Sequence, residues 1–326
     1  MTRTTTARTP RPGAPAALSF SLALAFGLGL TAAGRADAAT LRWKFKAGEE
    51  LHYQMVQKTV TAMKANGQDL KTTQDQTIDM TWKIGKVAED GTAEIAQSID
   101  RIRTKIDSAF GAFAYDSDDP KPAEGPIAAG VIPTLKALVG ATFRYKMSPR
   151  GELTDVKVPE GLIQQLKESS PAAGAVGMFS EEGLKNMIHE SSLDLPVDDL
   201  AKGKAWSRQT KLPPSPVGLM SFDKTYTYEG PADGGEKIAL SSKIALEPTP
   251  GSNLDVKLGA QEGKGDFVFD NAAGRVSNSS VTQRIEMVIT VMNQQITNST
   301  ETSSSMKLVE GKSGGGAKKA ADEVKK

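Results

Sequence analysis

Ile78-Asp79-Met80-Thr81-Trp82-Lys83-Ile84 alternates large apolar side chains with polar or charged ones at every second position. A chain of that period puts Ile78, Met80, Trp82 and Ile84 on one face of a strand and Asp79, Thr81 and Lys83 on the other. The alternation recurs at Ile238, Leu240, Ile244 and Leu246, at Leu254, Val256 and Leu258, and through Val281, Ile285, Met287, Ile289 and Val291. One apolar face and one wet face is the pattern of antiparallel sheet. Around Ile99, Ile102 and Ile106 the parity changes, as a β-bulge or a bend produces.

Working outward, the punctuation around these strands occurs twice. Gly48-Glu49-Glu50-Leu51 opens a strand, and so does Gly203-Lys204-Ala205-Trp206. Asp79 to Trp82 leads to a turn at Asp90-Gly91, and Asp223 to Tyr226 leads to one at Asp233-Gly234. Phe143-Arg144-Tyr145 precedes Gly151, and Phe267-Val268-Phe269 precedes Gly274. Three landmarks in one order imply a duplication; the alternative is that unrelated hairpins share one turn grammar. The expected fold class is α+β: a β-rich chain with two similar antiparallel sheet units and a short helical insert.

Three helical stretches are expected, one within the first half and two in the insert. Pro133 to Val139 places Leu135, Leu138 and Val139 together and meets Gly140 where a C-terminal cap belongs. Gly161 to Ser169 groups Leu162, Ile163 and Leu166. Ser180 reads as an N-cap, followed by Glu181 and Glu182 at the positive end of the helix dipole. Phe179 and Leu184 are spaced as a hydrophobic staple. The expected divisions are a signal peptide over 1–38, a first β-rich half over 39–160, the insert over 161–195, a second half over 196–310 and a disordered basic tail over 311–326.

Arg3, Arg8 and Arg11 precede the apolar run Leu18 to Ala33, and Ala36-Asp37-Ala38 supplies small residues for cleavage between Ala38 and Ala39. This predicts a periplasmic or extracellular protein with no transmembrane segment in the mature chain. The leader carries four arginines and one aspartate, and the tail five lysines against Asp322 and Glu323, while the whole chain has a net charge of +1. The part between is therefore mildly acidic, which argues against nucleic acid as a partner. With no cysteine, stability must come from burial rather than disulfides.

Catalytic groupings are scarce. The chain has two histidines, His52 and His189, so a zinc site of His and Cys is nearly excluded. Ser221-Phe222-Asp223-Lys224 matches SxxK, but the motif needs a helix start and companion motifs that are missing. Asp116-Ser117-Asp118-Asp119 offers carboxylates without the glycine or distal glutamate of a calcium loop. No catalytic residue, metal site or cofactor is expected.

The stretches LRWKFKAGEELHYQ from Leu41, SPRGELTDVKVPEG from Ser148, LPVDDLAKGKAW from Leu195 and TYTYEG from Thr225 carry a further signal. Through them the chain resembles a domain-of-unknown-function family of secreted proteins seen mostly in planctomycete-like bacteria. The resemblance implies an exported β-rich domain with no assigned activity.

The expected role is a non-enzymatic binding protein of the cell envelope that takes an apolar or lipid-like small molecule. Its candidate ligand-binding residues are Leu162, Ile163, Leu166, Phe179, Leu184, Met187 and Ile188, a larger apolar face than short surface helices need. The plainer reading is that they complete a core. A structural module binding another envelope component is the second expectation, and a hydrolase the third.

Overall fold

A computed structural model describes residues 38–65, 67–121, 123–125, 127–169, 180–211, 218–249, 254–291 and 294–310. The expected leader through Asp37, the connector with Phe179 and the basic tail expected to be disordered lie outside the described residues.

The first half supplies β1 (Glu50–Ala65), β2 (Gln68–Val87), β3 (Ala93–Ser108), β4 (Gly111–Asp116), β5 (Thr142–Met147) and β6 (Leu153–Lys157). The second supplies β7 (Ala205–Lys211), β8 (Leu219–Ala232), β9 (Gly235–Glu247), β10 (Leu254–Asp270), β11 (Arg275–Val291) and β12 (Gln294–Val309). Between the halves in sequence come α2 (Leu162–Ser169) and α3 (Glu181–Glu190), with α1 (Ala128–Leu138) inserted after β4.

All these strands belong to one antiparallel sheet of order β6-β5-β3-β2-β1-β12-β11-β10-β9-β8-β7, with β4 pairing β3 beside that path. In place of the two expected sheet units there is a single sheet, continuous across β1 and β12, where His52 stands opposite Val309 and Ala65 opposite Ile296. The parity change of β3 is a bulge: Asp79 faces Arg101 while Met80 faces Ile99, so Asp100 is the extra residue.

One end of the sheet is rolled. The backbone N–H of Trp43 donates to Pro149 O at 2.7 Å, in the β5–β6 turn, and that of Lys44 donates to Gly274 O at 2.9 Å, in the β10–β11 turn. Neighbouring amides span only ~4 Å, whereas five strand spacings on a flat sheet would separate β5 from β11 by ~24 Å. The sheet therefore curls, and Leu41 to Phe45 threads its mouth.

Trp43 fills the centre of the curl. Its ring lies 6.2 Å from that of Trp82 on β2 and 5.6 Å from that of Phe269 on β10, and its Nε1 donates to Leu193 O at 3.1 Å. Leu41, Tyr53, Ile95, Tyr145, Leu195 and Tyr226 are buried in the same cluster. Gly151 makes the threading possible. Its φ is +85°, and a Cβ there would stand 2.2 Å from Leu193 O and 2.9 Å from Trp43 Nε1. Gly151→Ala should cost about 3 kcal/mol, from overpacking and a strained backbone together; urea unfolding measures it, and a loss below about 1 kcal/mol would count against this packing.

A smaller core forms where α1 lies on β3 and β4, with Ile102, Phe113, Ala128 and Leu135 buried. The helix begins at Ala128, five residues before the expected start at Pro133, which is inside it. Proline is favoured in a first helical turn, but packing of Ala128, Val131 and Ile132 on this core carries the helix through Pro133. Gly140, with φ of +79°, follows the helix end. At α3 the Ser180 hydroxyl accepts from Gly183 N at 3.0 Å, as an N-cap does.

Candidate functional site

Beyond the rolled end, the long strands continue as a face on the inside of the curl. Cross-strand partners share a face, so the register defines its rows. Gln57 of β1 stands between Gln76 of β2 and Ser304 of β12; Thr59 stands between Gln74 and Thr302, and Thr61 between Thr72 and Thr300. Across the next seam, Gln283 of β11 faces Thr302 and Ile285 faces Thr300. The outermost rows bring together Leu70, Met63, Asn298 and Met287, then Ile296 and Ile289.

These inner positions are half-buried and uncharged. Hydroxyls and amides satisfy one another along the middle rows: Thr59 with Thr302 at 3.3 Å, Thr61 with Thr300 at 3.4 Å, and Gln57 Nε2 donating to Thr59 Oγ1 at 3.2 Å. The opposite side of the same strands carries the charge. Lys64 pairs there with Asp69 at 3.4 Å and Arg284 with Glu286 at 2.6 Å, and Lys58, Asp75 and Glu301 share that side.

At the β7–β8 margin of the inner face the character changes. Glu190, at the end of α3, pairs with Lys224 at 2.5 Å, and Asp194 pairs with Arg208 at 2.9 Å. Burial raises the Glu190 pKa, but the Lys224 charge, hydrogen bonds from Lys224 and Thr210, and Arg208 outweigh it and hold the carboxyl below its ordinary value. For Asp194 burial wins over Arg208, and the pKa is raised. A lowered folded-state pKa means that Glu190 contributes stability above its ordinary value of 4.5, lost as pH falls through the folded value. Asp194 has the opposite slope. Glu190→Gln should therefore flatten the loss of stability below that pH in urea melts; an unchanged acid limb would contradict the pairing.

The helical residues expected to bind ligand fall in several places. Leu162, Leu166, Leu184 and Ile188 are buried in the main core, and Ile163 is half-buried against it. Met187 is 56% exposed, and Phe179 lies outside the described residues. The structure does not gather them on one open surface. The inner strand face was missed because Thr, Gln and Ser give no apolar alternation; the cue available was the clustering of Met and Ile near the hairpin tips.

The family of unknown function DUF6263 matches residues 90–276. The chain belongs to this family. The matched span contains the stretches beginning at Ser148, Leu195 and Thr225, while the one beginning at Leu41 precedes it. Among solved structures, the chain is similar to one describing lipid–protein interactions in lipovitellin, with a TM-score of 0.46 and 10% identity over 85% of this chain. It spans 27% of the length of that lipovitellin chain. It is also similar to OpdL of Pseudomonas aeruginosa, with a TM-score of 0.22, 8% identity, and 80% of this chain and 99% of that one covered. No curated protein matches.

Within the family span, the chemistry-bearing motifs are otherwise engaged. Ser221 and Lys224 are three apart on β8, which places them on opposite faces, and Lys224 Nζ also donates to Glu190 O at 3.1 Å. Asp116 accepts two bonds from Arg101, at 2.8 and 2.5 Å, and Asp118 pairs with the same arginine at 3.3 Å. Outside the span, His52 Nδ1 meets Thr81 Oγ1 at 2.9 Å, while that hydroxyl donates to Asp100 at 2.5 Å. Its proton faces the carboxylate rather than the imidazole, the wrong direction for a nucleophile activated by His52. Among the described residues no helix is long and apolar enough to cross a membrane.

Proposed function

We propose that this protein is an exported, non-enzymatic binding protein that lays an elongated apolar or lipid-like ligand along the inner face of its sheet. The supporting observation is the sidedness of charge. On β1, β2, β11 and β12 the ionised side chains beyond the rolled end lie on the outer side, and five successive inner rows hold none. A surface kept for water alone has no need of that segregation, since charges are tolerated at any solvated strand position. Met63 and Met287, flexible and polarizable, suit contact with acyl chains of varied shape. On this reading Leu162, Leu166, Leu184 and Ile188 close one end of the trough as core, and the strands make the ligand contacts.

Native mass spectrometry of protein purified without detergent tests the proposal, together with titration by a fluorescent fatty acid. The expected result is a co-purified apolar adduct or saturable uptake. An unliganded mass with no uptake would contradict it.

Export is proposed on the leader, and the first bridge of the fold supports it: Ala39 pairs with Leu200, so cleavage before Ala39 leaves the folded body whole. Mass spectrometry of secreted or periplasmic protein should find Ala39 at the N-terminus, and retention of Leu18 to Ala33 would overturn this. Duplication is proposed on strand order. The meander β1-β2-β3-β5-β6 and the meander β7-β8-β9-β10-β11 place Trp82 and Tyr226 on second strands and Phe143 and Phe267 on fourth strands.

A further inference from the structure

The outer face of the sheet carries a groove of about 830 Å³ where β2, β3, β5 and β6 run side by side. Gly85, Ala96 and Thr142 form part of its lining, and their small side chains leave room above the strands. Cations dominate its rim in a body that is otherwise mildly acidic. Lys83 is paired with Glu50 at 3.0 Å and Lys146 with Asp155 at 2.7 Å. That leaves Arg144 and Lys157 without an ion pair among the described residues. Asp155 feels the charge of Lys157 too, but its hydrogen bond goes to Lys146. Glu94, the other acid on the rim, stands opposite Lys146 on β3.

Arg144 and Lys157 face one another directly across the β5–β6 pair. Like charges in that relation repel and weaken a sheet. The juxtaposition depends on a bulge. Lys146 is opposite Thr154 but Arg144 is opposite Lys157, so β6 has one residue more than β5 between these pairs. Asp155 within the bulge has a φ of +53°, the one positive value outside glycine among the described residues. Without the extra residue Val156 would oppose Arg144. With it, Val156 is buried at 8% exposure and Lys157 stands beside Arg144 in the groove. A strained non-glycine residue that holds two unpaired cations together invites a functional reading.

We infer that the Arg144–Lys157 pair is a binding site for a phosphate group, on a soluble phosphate ester or a phospholipid headgroup. A guanidinium offers a planar fork and an ammonium a point charge, and a tetrahedral oxyanion between them satisfies both while removing their repulsion. Ala96, opposite Arg144 on β3, leaves the guanidinium free to turn toward such a ligand. The site lies on the opposite side of the sheet from the inner face, so either reading stands or falls without the other.

The test uses the mature full chain and inorganic phosphate, with chloride at matched ionic strength as reference. Phosphate should raise the wild-type melting temperature saturably, and Arg144→Gln and Lys157→Gln should each require about tenfold more phosphate for half the effect. Both side chains are exposed, so near-ultraviolet circular dichroism should stay unchanged. Without phosphate, Arg144→Gln should be no less stable than wild type, since it removes a repulsion. Sedimentation with phosphatidylcholine vesicles, with and without phosphatidylglycerol, separates the sources. Binding to the anionic vesicles that Arg144→Gln abolishes assigns a headgroup, and a phosphate response without vesicle binding assigns a soluble ester. An equal phosphate response in wild type and the Arg144→Gln/Lys157→Gln double variant, or none in either, overturns the site.

Discussion

Trp43→Ala is expected to lower the unfolding free energy by about 3–5 kcal/mol, the range for removing a large aromatic side chain from a packed interior. Trp43 is 4% exposed and its ring touches those of Phe45, Trp82 and Phe269, which come from three separate segments. Substitution leaves a void that rigid strands on either side cannot close, and it strips Leu193 O of its indole donor. Urea unfolding by circular dichroism measures the loss. Val56→Ala, on the outer side of β1 at 45% exposure, is the reference and should stay within about 0.5 kcal/mol of wild type. Similar small losses in both would mean that the rolled end is not built around Trp43.

The position of Trp43 shows where sequence reading stops. Its neighbours in the core lie on β2 and β10, and nothing local in Leu41 to Phe45 says which strands it will meet. The alternation of Ile78 to Ile84 was legible because those side chains meet a dry core on one side and water on the other. The parity change around Ile99 to Ile106 was legible for the same reason, but only the register separates a bulge at Asp100 from a bend. The cap at Ser180 is local chemistry and needed no tertiary information.

The seam between β1 and β12 was not legible. Gln294 to Val309 is largely Thr, Ser, Asn and Gln, polar on both faces, so the period of two disappears. Two halves with similar punctuation therefore read as two units, although fourteen residue pairs join them into one sheet. The candidate site was hidden by the same polarity. Leucines on short helices are conspicuous in a sequence, whereas a face made of hydroxyls, amides and scattered methionines is defined only by what it excludes.

The second large effect is on binding, and it depends on sidedness. Met287 and Val288 are consecutive on β11; Met287 faces Asn298 in the inner rows, and Val288 faces Thr297 and Lys257 on the outer side. Both are half-buried, so a lysine at either position brings similar bulk and charge to the strand. A desolvated ammonium on an apolar ligand face carries a heavy cost, while the same group on the outer side reaches water. Uptake of a fluorescent fatty acid by the detergent-free protein, measured side by side for Met287→Lys, Val288→Lys and wild type, decides whether the inner face carries the ligand. At least a tenfold loss of affinity is expected in Met287→Lys, equivalent to about 1.4 kcal/mol, with wild-type uptake in Val288→Lys. Equal uptake by all three, or a loss confined to Val288→Lys, would contradict it.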